Sequence, residues 1–305
     1  MFTEQFHGIR LDNCHSTPIH VAKYLLDAAR KERPNLFVMA ELFTSSEHLD
    51  NLFVNRLGIN SLIRESFACP DSHDLGRLLH RFGADPVGAF PAFRIDQSEV
   101  RNSSQYSNVK PLVPRMSHAI LYDQTHDNES PFRKRTPHDL LPTAALVSMC
   151  CAAIGSNRGY DELVPHHIHV VNERRVYTYW AEGEEDSSKP NAVSLRTGII
   201  SARILLNDLH RSLQTNGFTE IFVDQVDFNT VAVTRFNPDQ MRSVILVART
   251  VFFESSYAPV AIRPLTIAGH IKNIRFEIKM AGRPDKYKAD ECVINGVQDY
   301  RAEIR

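Results

Sequence analysis

The stretch Phe6-His-Gly-Ile-Arg-Leu-Asp-Asn-Cys-His-Ser16 decides the reading of this chain. It is a short apolar strand pattern that ends on an arginine and an aspartate two residues apart. Residues i and i+2 of a strand share a face, so Arg10 and Asp12 project together at the strand's end. A guanidinium beside a carboxylate favours its ionised form. That suits a nucleophile, and it equally describes a structural ion pair at a strand terminus.

Working outward, Ser16-Thr-Pro supplies a helix start with Ser or Thr as cap and Pro18 in the first turn. Val21, Tyr24, Leu25, Ala28 and Ala29 then recur at helical spacing, and Pro34 stops the helix. Asn35-Leu-Phe-Val-Met-Ala-Glu-Leu-Phe43 follows, a nearly continuous apolar run of the kind buried in parallel sheets. Phe37, Met39 and Glu41 share one face, and no cation stands near Glu41 in the sequence, an environment for a carboxyl that keeps its proton. Asp12 and Glu41 are about 29 residues apart, against a repeat of about 31 residues in a (β/α)8 barrel. One such unit places both acids at neighbouring strand ends, on the face where barrel active sites sit.

Further along, Leu57 to Ile63 reads as a strand and Asp74 to Phe82 as a helix. The stretch 91–110 is polar and reads as an inserted surface loop. His118-Ala-Ile-Leu-Tyr-Asp-Gln-Thr-His-Asp-Asn-Glu129 is a third strand that ends in acids. From Glu41 to Asp127 is about 86 residues; two barrel repeats account for roughly 62, and the insertion is close to the remainder. Pro142 to Ala153 reads as a buried helix and Ser194 to Thr215 as an amphipathic one. From Phe218 the period becomes two, with strands expected at Phe218–Val226, Thr230–Phe236, Ser243–Phe253, Ile271–Ile278 and Tyr300–Ile304.

Composition bounds the function classes. The chain has 305 residues, 43% hydrophobic and 23% charged, with a net charge of −1. No basic field exists to hold nucleic acid or an anionic membrane. No run of 18 apolar residues is present to span a bilayer. The five cysteines, Cys14, Cys69, Cys150, Cys151 and Cys292, are scattered without a CxxC; this favours reduced thiols and a cytoplasmic location. Cys150-Cys151 reads as packing. His166, His167 and His169 lack a second ligand cluster, so no metal and no cofactor are expected. Asp50, Asp123, Glu129, Asp161 and Glu162 read as solvated or supporting acids.

Gly8-Ile-Arg-Leu-Asp12, Ala40-Glu41 and Thr125-His-Asp-Asn128 resemble three motif regions of the α-amylase superfamily. The strings RLDNCHSTPIHVAKYLLDAAR (10–30), VMAELFTSSEHLDN (38–51), THDNESP (125–131) and GYDELVPHHI (159–168) resemble more narrowly the eukaryotic glycogen debranching enzymes, over essentially the whole chain. The resemblance implies Asp12 as the nucleophile of a retaining double displacement, Glu41 as general acid and then base, and Asp127 as the acid that holds the sugar's ring hydroxyls. It implies Arg10, His15 and His126 as substrate-binding residues, with His15 displaced by one position from the histidine of many superfamily members.

The implied fold is α/β: about strands 4 to 8 of a (β/α)8 TIM barrel in residues 1–190, then a smaller β-rich or α+β module in 195–305 that resembles the start of the family's central domain. The implied activity is 4-α-glucanotransfer between α-1,4-linked chains, with glycogen and other α-1,4/α-1,6-glucans as partners. Family members also hydrolyse α-1,6-linked glucose in a distant domain. The alternative is a truncated, catalytically dead product that only binds or scaffolds glucan. Five strands do not close an eight-stranded barrel, so the chain alone is expected to lack transferase activity.

Overall fold

The computed structural model describes residues 5–83, 93–95, 109–111, 118–180, 192–193, 197–253 and 262–305. They divide into two compact units, Met1–Arg64 with Asp85–Ile120, and Glu65–Ala84 with Leu121–Arg305. The protein is α/β, with a parallel sheet and separate antiparallel sheets.

In the first unit, strand and helix alternate: β1 (Gly8–Leu11), α1 (Ile19–Glu32), β2 (Phe37–Ala40), α2 (Glu47–Leu57) and β3 (Ser61–Glu65), whose last residue, Glu65, already belongs to the second unit. β1, β2 and β3 are sequential parallel neighbours, the repeating pattern of a βα barrel. Val38, Ala40, Leu42, Leu62 and Ile63 are buried and make the sheet's core. α1 differs from expectation at both its start and its face. Pro18 itself is the cap residue, with no side-chain cap; its carbonyl accepts the N–H groups of Val21 and Ala22 at 3.0 and 3.1 Å. Ala22 and Leu26 are the buried pair, whereas Val21, Tyr24 and Leu25 are exposed. The helix carries two apolar stripes, and this unit buries the narrower one.

α2 is capped at both ends. Ser46 Oγ accepts from Leu49 N–H at 3.4 Å, and Gly58 takes the left-handed conformation (φ 62°) that ends many helices. The strand expected from Leu57 therefore begins later, at Ser61. Asp50 on α2 is buried and paired with Arg64 of β3 at 2.8 Å; it is not a solvated acid. Arg64 also donates to the Leu42 and Ile63 carbonyls at 3.0 and 2.8 Å, and Thr44 Oγ1 donates to Asp50 at 2.6 Å. This buried network fixes the loop that follows Glu41. The expected insertion at 91–110 lies largely outside the described residues; within it, β4 (Phe93–Ile95) pairs antiparallel with β5 (Val109–Pro111).

The second unit contains α3 (Ser72–Phe82), the end of β6 (His118–Tyr122), α4 (Pro131–Lys134), α5 (Leu140–Ser148) and β7 (Ala153–Gly155). Short strands β8 (Val176–Tyr177), β9 (Tyr179–Trp180) and β10 (Ala192–Val193) follow, then α6 (Ile200–Thr215). β11 (Glu220–Asp227), β12 (Thr230–Asn237) and β13 (Arg242–Arg249) form an antiparallel sheet in sequence order. β14 (Ile278–Gly282) pairs with β16 (Tyr300–Ile304), and β15 (Val293–Ile294) with β8. The strand expected at Ile271–Ile278 is not formed. Ile271 and Ile274 are exposed and stand three residues apart, not two, and the chain becomes strand only from Ile278.

The core of this unit joins Leu140, Leu141 and Ala144 of α5 to Ala202 and Leu206 of α6, with Phe67, Tyr160 and Tyr300. Arg235 of β12 is fully buried, and its guanidinium donates to the carbonyls of Met149, Cys150 and Phe218. It thereby satisfies carbonyls just beyond the C-terminus of α5, where a cation is favoured. None of the five cysteines is in a disulfide; Cys150 is buried, as expected of packing. No helix among the described residues is long and apolar enough to cross a membrane.

Candidate active site

The β1–β2 register runs Gly8↔Phe37, Ile9↔Val38, Arg10↔Met39, Leu11↔Ala40. Extending it by one rung sets Asp12 beside Glu41. Glu41 N–H donates to Leu11 O at 2.9 Å and Cys14 N–H to Glu41 O at 3.0 Å, so the ladder does continue past the strands. Neighbouring residues of a parallel pair share a face, and alternation brings Arg10, Asp12, Met39 and Glu41 onto one.

Arg10 joins the two acids. Its Nη1 bonds Asp12 Oδ1, and its Nη2 lies 3.1 Å from Glu41 Oε2. This corrects the expectation that Glu41 has no cation beside it. The cation comes from the adjacent strand, two rungs below, and sequence distance conceals it. Glu41 is the more enclosed of the pair, with 16% of its side chain exposed against 69% for Asp12. A second donor to Glu41 Oε2 is the backbone N–H of Asn13, at 3.1 Å. Asn13 is left-handed (φ 47°), a conformation that asparagine tolerates better than most residues. That turn aims its amide at Glu41 and lets Cys14 bury behind it. Sequence reasoning misses Asn13; an asparagine directly after a strand-terminal aspartate is the available signal.

His15 lies on the short 3-10 turn after Asn13, and its Nδ1 accepts from Phe43 N–H at 3.4 Å. The ring is thus tied to the backbone two residues beyond Glu41. Arg10, Asp12, His15 and Glu41 are all in the first unit.

His126 and Asp127 belong to the second unit. The strand expected to run to Glu129 ends at Tyr122, and Thr125–Asn128 is a turn closed by Asn128 N–H on Thr125 O at 3.3 Å. His126 Nε2 and Asp127 Oδ1 are 3.2 Å apart, and both side chains are exposed. His126 and Asn128 border a cavity of about 200 Å3 with Asn157, His167 and Tyr177. A larger cavity of about 1160 Å3, between β13 and residues 267–280, holds none of the six predicted site residues.

Behind that turn lies a buried acidic cluster. Asp123, Asp161 and Glu162, expected as solvated or supporting acids, are not solvated: Asp123 and Glu162 are buried, and Asp161 nearly so. Burial pushes the Asp123 carboxyl up to about 7, against the pull of the Arg203 guanidinium and of backbone N–H groups that include Asn157's, 3.2 Å from Oδ1. Burial likewise raises Asp161 to about 6, although Arg203 Nε is 3.1 Å from its Oδ1. The Arg203 charge offsets only part of that desolvation, and the neighbouring Glu162 carboxylate adds to the rise. Glu162 pairs with Arg158 at 2.7 Å. His166 is held between Arg175 at 2.7 Å and Tyr287 at 3.0 Å. Burial and the Arg175 charge move its imidazole below the usual range. Among the described residues, no group of three or more His, Cys, Asp or Glu is placed to hold a metal ion.

Comparison with known proteins identifies the chain's relatives. Residues 198–305 match the central domain of human glycogen debranching enzyme, and residues 1–37 match the glucanotransferase domain of glycogen debranching enzyme. The glycogen debranching enzyme of Saccharomyces cerevisiae is 36% identical over 323 residues, covering 98% of this chain and 20% of that protein. The chain belongs to the glycogen debranching enzyme family. It carries glucanotransferase-domain and central-domain sequence, and spans about one fifth of the length of the curated relative it matches. Among solved structures, it is similar to pullulanase type I from Bacillus subtilis (13% identity, 80% of this chain and 37% of that one, TM-score 0.47). It is also similar to the cyclic α-maltosyl-(1→6)-maltose hydrolase of Arthrobacter globiformis (12% identity, 81% and 49%, TM-score 0.46).

Proposed function

We propose that this chain carries catalytic residues of a 4-α-glucanotransferase that moves maltooligosaccharide between α-1,4-glucan chains of glycogen in the cytoplasm. In the debranching-enzyme relatives, the same polypeptide would then hydrolyse the remaining α-1,6-linked glucose. Residues 1–190 would form the barrel part and 195–305 the beginning of the central domain.

The observation that carries the reading is the single guanidinium of Arg10 set against both Asp12 and Glu41. A retaining mechanism needs two carboxyl groups about 5–5.5 Å apart, one ionised as nucleophile and one delivering a proton. Asp12, the more exposed, attacks the anomeric carbon and forms a glycosyl ester. Glu41 protonates the departing glycosidic oxygen, then deprotonates the acceptor hydroxyl that releases the ester. Arg10 stabilises the carboxylate charge on whichever acid carries it. Asp127 holds ring hydroxyls as the oxocarbenium-like centre develops, and His126 and His15 contact the sugar. Transfer instead of hydrolysis requires the acceptor glucan to reach the ester before water does.

The test is disproportionation of a maltooligosaccharide by the protein expressed from its native gene. Asp12→Asn is expected to abolish transfer and to leave glucan binding largely unchanged; transfer at the unsubstituted rate would remove Asp12 from the nucleophile's role. A second reading is binding of glucan without turnover. The 305-residue chain tested alone is expected to lack transfer, and turnover by it would overturn that expectation; glucan retained by the chain without turnover would favour the second reading.

A further inference from the structure

The turn Thr125–Asn128 is buried at its base and exposed at its tip. Thr125 is 8% exposed and Asn128 is half-buried, whereas His126 and Asp127 between them face outward. The two exposed tip side chains meet each other, His126 Nε2 lying 3.2 Å from Asp127 Oδ1, but that contact does not anchor the turn to the rest of the fold. Its order must come from the base.

The base is tied to one residue. Asn128 Nδ2 lies 3.2 and 3.1 Å from the two carboxylate oxygens of Glu65, and 3.1 Å from Thr125 Oγ1. An amide nitrogen has two hydrogens. One serves the threonine and the other is shared between the carboxylate oxygens, so both donors are directed inward and neither is left for a ligand. A carboxylate is suited to this task because it only accepts. A glutamine at position 65 would offer one oxygen and an NH2 group that cannot meet another NH2. The charged acceptor also strengthens the bond relative to a neutral one.

Glu65 is itself mounted rigidly. It is 8% exposed and ends β3, all of whose residues are buried. The next residues form the turn Ser66–Ala68. Arg135 Nη2 donates to the Ser66 and Cys69 carbonyls at 2.7 and 3.0 Å, and its guanidinium lies against the rings of Phe67 and Phe252 at 4.4 and 3.8 Å. Arg135 is held by the fully buried Asp139 at 2.8 Å. Phe67 N–H donates to Asp123 O at 3.0 Å, which fixes the chain just before the turn. Entry to the turn and exit from it are therefore both set by residues 65–67.

We propose that Glu65 is a positioning residue for the sugar-binding turn: through Asn128 its carboxylate fixes where His126 and Asp127 stand. This rests on the reading of His126 and Asp127 as sugar contacts. Small displacements of such groups are costly, on the order of 100-fold in rate for about 1 Å.

The experiment uses the protein expressed from its native gene, with Glu65→Ala, Asn128→Ala and the double substitution. Each single variant is expected to lower kcat for maltooligosaccharide transfer roughly 10- to 100-fold, with KM for the acceptor within about twofold. The double variant is expected to be no slower than the worse single one, because both remove the same tie. Glu65→Gln, which keeps one acceptor oxygen, is expected to recover part of the loss. Losses that multiply in the double variant, or a Glu65→Ala kcat within twofold of the parent, would overturn the proposal. Hydrogen exchange at the Asn128 amide is a readout free of activity: it is expected to quicken in Glu65→Ala while amides of β12 stay protected. Unchanged exchange at Asn128 would refute the positioning role, and so would equal loss of protection in β12, which would mean general unfolding. Absence of transfer by the unsubstituted protein would instead refute the functional reading and leave the exchange result to judge Glu65.

Discussion

Replacing Asp123 by asparagine should flatten the dependence of stability on pH. Asp123 lies under the Thr125–Asn128 turn at 5% exposure, its carboxyl raised from 3.8 to about 7 chiefly by burial. A group raised in the folded state binds its proton more tightly there than in the unfolded chain. Its contribution is fully present below the unfolded value near 4, falls as pH rises through about 7, and is lost above. Between about pH 5 and pH 8, integrating over the two values gives a loss on the order of 2–3 kcal/mol from this residue. Asparagine keeps the oxygen that accepts from Asn157 N–H and has no charge to desolvate. Asp161, raised to about 6, has the same sign and remains in the variant. The comparison is thus a difference of differences, measured by urea titration followed by circular dichroism at the two pH values. The parent protein should lose about 2–3 kcal/mol more than Asp123→Asn across that window. Equal losses in the two proteins would show that Asp123 is ionised at no unusual cost, and the burial argument would fail.

Two more outcomes follow from the first unit. Asp50→Ala leaves Arg64 as a buried charge without its carboxylate and should destabilise by roughly 3–5 kcal/mol, read as a lower urea midpoint at constant slope; a loss under about 1 kcal/mol would mean that water replaces the acid. Asn13→Ile places a β-branched residue at φ 47° and should cost roughly 1–2 kcal/mol, with transfer slowed because the Asn13 amide moves off Glu41. Asn13→Gly should keep both stability and transfer near the parent values. If isoleucine is tolerated as well as glycine, the left-handed turn does not aim the amide.

Much of the site is legible in the sequence because strands have a short period. Arg10 and Asp12 share a face by alternation alone, and a repeat of about 31 residues brings Glu41 to the neighbouring strand end. The cation at Glu41 is hidden because its partner is near only through the parallel register. Periodicity within a segment carries no information about which segment lies beside it. The same limit explains Glu65. It ends a strand that the apolar pattern places too early, since Leu57 to Ile59 read as strand where Gly58 in fact closes a helix, and its partner Asn128 is more than sixty residues away. Acids at strand ends and in loops look solvated when only their sequence neighbours are known, and Asp123 and Glu162 are of that kind. Burial of a carboxylate becomes intelligible only once its spatial neighbours are known, and the neighbours here, Arg203 and Arg158, come from other elements or from one helical turn away. The sequence names the groups able to do chemistry. The fold adds the set that holds them, and in this protein that second set is built largely from buried charges: Arg64 on the loop after Glu41, Glu65 on the turn that carries Asp127. A substitution that preserves size but removes one of those charges should therefore disturb catalysis without touching a residue that contacts the glucan.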